Sequence, residues 1–485
     1  MQSLTRRSLQ RFISKHVHAI GCRTYGSTRI FDAGQPTAAS HPELLKEGEL
    51  TPGITCDEYI SRRKRLLEIL PEKSIAIIAA SPIKMMTDVV PYPYRQDADY
   101  LYVTGCQQPG GIAVLGHEIG LCMFMPEPTY HDVTWEGNTA GVKEAMEIFK
   151  ADQALPMSKL QQMLSGFLER SSEVFHNVKT ATRTYVELES FQKALNKGKA
   201  KDLSVYTHEM RWVKSPAEIN LMREAATIAC QAQLQTMFHS KTYPHERMMA
   251  AKVEYECKMR GAQKMAFNPV VGGGPNGSVI HYSRNDRRVN NGELVLMDIG
   301  CEFHGYVSDM TRTWPPSGRF LSAHVDLYDL IVETNKECIE LCKPGVTLRQ
   351  IHEHSVQKLY KGLRKIGVLK DKLSSHRTYH QLNPTNIGHY LGMDVHDCST
   401  ISNDRPLKPG VVITIEPGVY IPSSFDVAEK YQGIGIRIED EVLITDSSYE
   451  VLTGSMPKEI SHIESLLNNY VHQSESDCLA TAVSS

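Results

Sequence analysis

Two apolar runs in this chain each carry a single acid: Leu294-Val295-Leu296-Met297-Asp298-Ile299 and Tyr306-Val307-Ser308-Asp309-Met310-Thr311. Between them, Glu302–Gly305 reads as a hairpin turn, with Gly305 able to take positive φ. A turn centred between Phe303 and His304 sets Asp298 directly opposite Asp309. Opposed carboxylates have Cβ atoms only ~5 Å apart and destabilise a sheet. An apolar strand raises the cost by removing water. A shared proton, a basic side chain or a metal ion has to offset it; the alternative is a register that leaves both acids in solvent.

The theme recurs downstream. Val411-Val412-Ile413-Thr414-Ile415-Glu416 is another apolar strand ending in an acid. Gly433–Glu439 alternates strictly, so Ile434, Ile436 and Ile438 face one way and Gly435, Arg437 and Glu439 the other. Glycines beside an acid on the polar face suggest a surface cleared for a ligand. His389, in Gly388-His389-Tyr390-Leu391-Gly392, is the plausible nitrogen donor among these elements. The four carboxylates balance two divalent cations, which bridging acids hold ~3.5–4 Å apart. Oxygen-rich ligation without thiolate favours Mn²⁺ over structural zinc. Such a centre generates hydroxide from water at neutral pH and polarises a carbonyl, the chemistry of amide or ester hydrolysis.

The scaffold that must position these groups is large. A chain of 485 residues implies two or three domains. With 53 basic and 56 acidic residues and a net charge of -3, it lacks the field that holds nucleic acid. Its 41% hydrophobic content suits packed cores. No run approaches the ~18 apolar residues of a membrane span. The 11 cysteines form no CxxC pair and suit a reducing compartment, with Cys338 and Cys342 read as small core residues.

The first 31 residues differ in kind: Arg6, Arg7, Arg11, Lys15, Arg23 and Arg29, several Ser and Thr, and no acid before Asp32. That composition predicts a mitochondrial transit peptide at 1–31 and a matrix address. Within it, Arg23-Thr24-Tyr25-Gly26 offers a processing point after Thr24. An extended arm is expected over 32–54 and an α/β domain over 55–205. Its first helix opens at the Thr55–Glu58 capping box and carries Arg62–Arg65 on a solvated face. Ser74–Ala80, Tyr100–Val103, Gly111–Leu115 and Leu121–Met125 read as strands. A second, α+β domain is expected over 206–467, announced by the Ser215-Pro216-Ala217-Glu218 capping signal, with helices near 324–342 and 348–366. A flexible tail completes the expectation at 468–485.

From about Arg211 to Lys458 the sequence resembles the pita-bread metallopeptidases: aminopeptidase P, prolidase and methionine aminopeptidase. The resemblance rests on Asp298, Asp309, His389, Glu416 and Glu439 in that order, within MDIG, SDMTRT, GHYLGMDVHD, TIEPGVY and GIRIEDEVLIT. The third and fifth phrases are similar to aminopeptidase P in particular. The N-terminal half resembles that family's creatinase-like domain through Tyr94-Arg95-Gln96-Asp97-Ala98-Asp99-Tyr100. Gly34-Gln35-Pro36 and Gly48–Gly53 resemble the mitochondrial aminopeptidase P subgroup that includes the intermediate-cleaving peptidase.

The resemblance implies a creatinase-like α/β domain followed by an α+β pita-bread catalytic domain, in a homodimer acting on peptide or protein N-termini. Asp309 and Glu439 would bridge two ions, Asp298 would bind one, and His389 and Glu416 the other. Glu416 would also deprotonate the attacking water and pass the proton to the leaving amine. His281 and His396 would contact substrate, and Arg437 would fix a bridging carboxylate. Many relatives carry histidine where this chain has Thr385, which puts a prolyl preference in doubt.

Three enzymatic readings follow: trimming one residue from imported proteins after presequence cleavage, cleaving Xaa-Pro peptides, or prolidase action on dipeptides. A non-catalytic peptide-binding module is the remaining reading. Gly272–Gly277 satisfies GxGxxG but reads as a loop before a strand-like Ser278–Tyr282, not a dinucleotide site. His376 and His380 lack a third ligand or a HExxH glutamate and read as surface or packing residues.

Overall fold

The computed structural model describes residues 33–369 and 375–470; the expected transit peptide, its Arg23-Thr24-Tyr25-Gly26 string and the last part of the expected tail lie outside them. The N-terminal half is built on a six-stranded mixed sheet in the order Ala200–Asp202, Glu173–His176, Ser74–Ala79, Ile112–Gly116, Gly120–Met125, Gln153–Pro156. Ser74–Ala79 is buried on both faces, as its unbroken apolar run requires. Ile75, Ile77 and Ala79 pack on Leu160, Leu164, Phe167 and Leu168 of the helix Leu160–Arg170. Ala76 and Ile78 point the other way, into a core containing Tyr59 and Leu66 of the helix Cys56–Ile69. That second core also takes in Leu221, Met222, Tyr306, Val307, Leu391 and Met393. The two halves of the chain therefore share one continuous apolar core.

The C-terminal half opens as its capping signal dictates. The Ser215 hydroxyl accepts from the Glu218 N–H at 3.3 Å, the Glu218 carboxylate accepts from the Ser215 N–H at 2.8 Å, and Pro216 begins a helix running to His239. This helix, Glu246–Met259, Ser322–Glu340 and Leu348–Lys365 pack around short antiparallel sheets. Val295, Met297 and Ile299 enter the helix-covered core together with Ile434, Ile436 and Ile438. Alternation then leaves Asp298, Arg437 and Glu439 on the opposite side, where the site is.

Several expectations need correction. The hairpin turns one residue later than read: Phe303 pairs with Tyr306, and His304 and Gly305 both take positive φ, at 50° and 88°, as a type I′ turn needs. Asp298 consequently faces Thr311 rather than Asp309. Moving the pairing by two residues preserves the period-two alternation, so both acids keep the same face. Tyr100–Val103 is not a strand but lies in a buried helix, Ala98–Thr104, because the Asp97 side chain caps its start and Gly105, at φ 72°, closes its end. Nor is the Arg62–Arg65 run simply a solvated face. Arg62 and Arg63 are buried, Arg62 lying 4.1 Å over the Tyr102 ring and 2.7 Å from Glu58. The arm is a series of turns docked on the domain, with the Gln35 amide donating to the Gly105 carbonyl at 3.1 Å. Ser278–Tyr282 is not a strand; a short 3₁₀ turn, Gly274–Ser278, runs into it. The expected tail begins inside a helix described from 460 to 470, and Tyr470 stacks on Phe238 at 4.7 Å. Cys338 and Cys342 are buried free thiols, as read. Among the described residues no helix is long and apolar enough to cross a membrane.

The turn residue His304 generates a test. Burial holds its imidazole down to about 4 from an ordinary 6.5. Between those values the unfolded chain binds the proton and the folded chain does not, so stability falls as pH drops from about 6.5 to about 4. His304→Asn supplies the Asn-Gly pair that type I′ turns favour. The variant is expected to match or exceed the parent at pH 7 and to lose less stability at pH 4.5, read from urea midpoints at both values.

Candidate metal centre

Five separate segments deliver the candidate ligands. Asp298 sits in the strand Val295–Ile299, and Asp309 precedes its partner strand Met310–Trp314. Glu416 follows Val412–Ile415, and Glu439 lies between Ile434–Arg437 and Asp440–Ile444. His389 comes from the loop that bridges to Ile413 through Tyr390. Close backbone approach makes this layering possible. A Cβ at Gly388 would stand 1.9 Å from the Thr414 carbonyl oxygen, and one at Gly435 only 1.8 Å from that of Gly277. Glycine at these points lets the His389 loop touch the strand Val412–Ile415, and the strand Ile434–Arg437 touch the turn at Gly277.

Asp309, His389 and Glu439 present ligand atoms within 4.8 Å of one another. His389 Nε2 lies 3.3 Å from Asp309 and 3.6 Å from Glu416. Its Nδ1 is 3.1 Å from the Tyr390 carbonyl, which only accepts, so Nδ1 carries a proton and Nε2 is the ring atom turned to the acids. Burial first, then the charges of Asp298 and Glu416, pushes the Asp309 carboxyl well above the carboxylate range. Burial, then Asp309 and Glu416, does the same to Glu439. Burial raises Glu416 too, against the opposing pull of His389 and Arg437.

Arg437 is the cation built into the cluster. Its fork donates to Asp298 Oδ2 at 2.6 Å, to the Thr311 hydroxyl at 2.9 Å and to the Tyr420 hydroxyl at 2.9 Å. Thr311 in turn donates to Glu439 Oε2 at 2.7 Å. Arg437 thus grips Asp298 directly and reaches the expected bridging Glu439 only through a hydroxyl, a division of labour the sequence reading lacks. One guanidinium does not balance four acids, and Asp298 Oδ1 is buried without a hydrogen-bond partner. An oxygen-rich, electron-donating cluster with an orphaned carboxylate oxygen fits divalent cations.

His281 and His396 line a cavity of about 450 Å³ with Phe267, Val270, Asp298 and Asp309, so the chain brings both histidines to the acids. The rings of His389 and His396 are 4.2 Å apart. Thr385 stands in the loop before His389, its hydroxyl buried and without a partner. His380 is exposed on the helix Ser375–Leu382 and joins no metal-competent group among the described residues. The glycine run at 272–277 ends the strand Val270–Gly273 and packs Gly277 on Gly435.

Sequence reading missed Thr311, Tyr420 and Glu441. Fully buried, Glu441 accepts the Asp309 N–H at 3.0 Å and stays protonated beyond the usual carboxylate range through burial. The available signal was three consecutive acids, Glu439-Asp440-Glu441, opening an otherwise apolar strand.

Residues 220–446 match metallopeptidase family M24, and residues 59–175 match the aminopeptidase P N-terminal domain. The mitochondrial intermediate cleaving peptidase 55 of Arabidopsis thaliana is 63% identical over 97% of this chain and 94% of its own length. Human Xaa-Pro aminopeptidase 3 is 35% identical over 89% of this chain and 90% of its own. Zinc-substituted Escherichia coli aminopeptidase P in complex with product superposes with a TM-score of 0.81 at 32% identity, covering 86% of this chain and 99% of that one. Identity and shared architecture over nearly the whole length make this chain an enzyme: it belongs to metallopeptidase family M24, with the fold of aminopeptidase P.

Proposed function

We propose that this enzyme removes a single N-terminal residue from proteins imported into mitochondria, after their presequences have been cut off. The observation that carries the chemistry is the convergence of Asp298, Asp309, His389, Glu416 and Glu439 in a cluster whose excess negative charge divalent cations would balance. Two divalent ions, Mn²⁺ by the oxygen-rich donor set, would be held there, Asp309 and Glu439 bridging, Asp298 on one and His389 and Glu416 on the other. Bound ions would supply an ionised water at neutral pH and polarise the scissile carbonyl. Glu416 takes the proton from the attacking water and hands it to the departing amine. His281 and His396, at the cavity wall, donate to the carbonyl oxygen as it gains charge. Arg437 holds Asp298 in place through a 2.6 Å ion pair.

Imported proteins are favoured as substrate by the basic, acid-free leader and by the relative named as a mitochondrial intermediate cleaving peptidase. The relatives named Xaa-Pro aminopeptidase support a second reading, turnover of short Xaa-Pro peptides. A homodimer is part of the proposal. The helix Tyr130–Glu136 buries none of its residues and exposes Tyr130 at 90% and Trp135 at 73%, an apolar surface a second copy would cover. Light scattering is expected to give twice the chain mass.

N-terminal profiling of mitochondrial proteins with and without this chain decides between the substrates. One extra residue on many mature proteins supports trimming; accumulation of short Xaa-Pro peptides alone supports the second reading. Purified enzyme with Mn²⁺ is expected to release Tyr from Tyr-initiated peptides, to stop on chelation, and to lose turnover in Glu416→Gln. Thr311→Val, which cuts the relay from Arg437 to Glu439, is expected to lower metal affinity or kcat/KM by ~10–100-fold with far-UV circular dichroism unchanged.

A further inference from the structure

His396 faces the acids, yet among the described residues no hydrogen bond holds its imidazole. Its position is inherited from the main chain of the loop after Tyr390. That loop is gripped on both sides of His396. The Asp394 carboxylate is split between two arginines: Oδ1 accepts from Arg95 Nη1 at 3.0 Å and Oδ2 from Arg211 Nη2 at 2.8 Å. Arg95 also donates to the Met393 carbonyl and, through Nε, to Glu302 at 2.7 Å. Arg211 also binds Asp397 and, at 2.7 Å, Asp99. Lys214 stands 3.5 Å from the other Asp397 oxygen. The residues three and two before His396 and the one after it are therefore fixed, and Asp397 is packed so tightly that a Cβ on Gly392 would meet it at 2.1 Å.

Arg95 comes from the N-terminal domain, just before the helix Ala98–Thr104, and donates directly to the His396 loop. Its planar fork satisfies acceptors on the hairpin (Glu302) and on the His396 loop (Met393, Asp394) at once, which a lysine ammonium on a flexible stem does not reproduce. We propose that Arg95 is a positioning residue for the reaction: it sets the His396 loop, and through it the imidazole, against the acids. The inference rests on the reading above in which His396 meets substrate. It makes the N-terminal domain part of the catalytic apparatus rather than a docking platform alone.

A misplacement of ~1 Å in a catalytic group costs on the order of 100-fold. In the Mn²⁺-loaded full chain, Arg95→Ala is expected to lower kcat by ~10–100-fold with KM within about threefold, since His396 acts on the developing intermediate. Arg95→Lys is expected to fall between, and added guanidinium to restore part of the Arg95→Ala loss. The decisive readout is a double-mutant cycle: Arg95→Ala combined with His396→Ala is expected to be no slower than His396→Ala alone. Melting temperature and metal content accompany every variant; should Arg95→Ala fail to fold, the cycle is run with Arg95→Lys. Losses that multiply, or full kcat in a folded Arg95→Ala enzyme, overturn the positioning role. Full activity in His396→Ala overturns the assignment of His396 itself and takes this inference with it.

Discussion

Mutual repulsion among Asp298, Asp309, Glu416 and Glu439 is the constraint to which the catalytic half of this molecule answers. Two like charges at ~4 Å repel by ~4 kcal/mol at an effective dielectric near 20. Arg437, buried and hydrogen-bonded to Asp298, Thr311 and Tyr420, meets only part of that deficit. A cluster of this kind persists where rigid elements supply every member and packing leaves no route for the acids to separate. The arrangement obeys that logic: ligands lie in or next to antiparallel strands whose other faces are sealed under Ser322–Glu340 and its neighbours by Val295, Met297, Ile436 and Ile438.

The N-terminal half joins this scheme through shared interior rather than through a tether. Leu221, Met222, Tyr306 and Leu391 sit in the same apolar core as Ala76, Ile78 and Tyr100. Within it Arg62 lies between the rings of Tyr59 and Tyr102 and approaches Glu218 at 3.5 Å, an arginine buried between domains whose charge is answered on both sides. Separating the halves would expose both the core and this charge, so the docking is fixed in the folded state.

Much of this was legible in the chain. The period-two pattern at Ile434–Glu439 placed Arg437 and Glu439 on one face without further help, and the capping signals at Thr55 and Ser215 placed their helices. What escaped was set by tertiary context. Tyr100–Val103 has strand-prone residues, but its flanking Asp97 and Gly105 are helix caps, and burial all round removes the periodicity that distinguishes the two states. The hairpin register was missed by one residue because a histidine at positive φ is not a strong turn signal, whereas Gly305 is. The buried arginines at Arg62 and Arg63 read as solvated because their partners, the carbonyls of Tyr102 and Val103, are ~40 positions away. Thr311 and Glu441 carry no pattern of their own; they matter only because folding sets them behind Glu439 and Asp309.

Contact of bare main chain at Gly388 and Gly435 has a consequence for how such a protein can drift. A single added methyl group at either point, chemically inert in itself, would push the His389 loop off the strand Val412–Ile415, or the strand Ile434–Arg437 off the turn at Gly277, and so draw the acids and the imidazole apart. The surrounding hydrophobic interior would survive that wedge largely intact. Descendants that keep the shape while losing the reaction therefore lie one alanine away, reachable without altering any acid or imidazole.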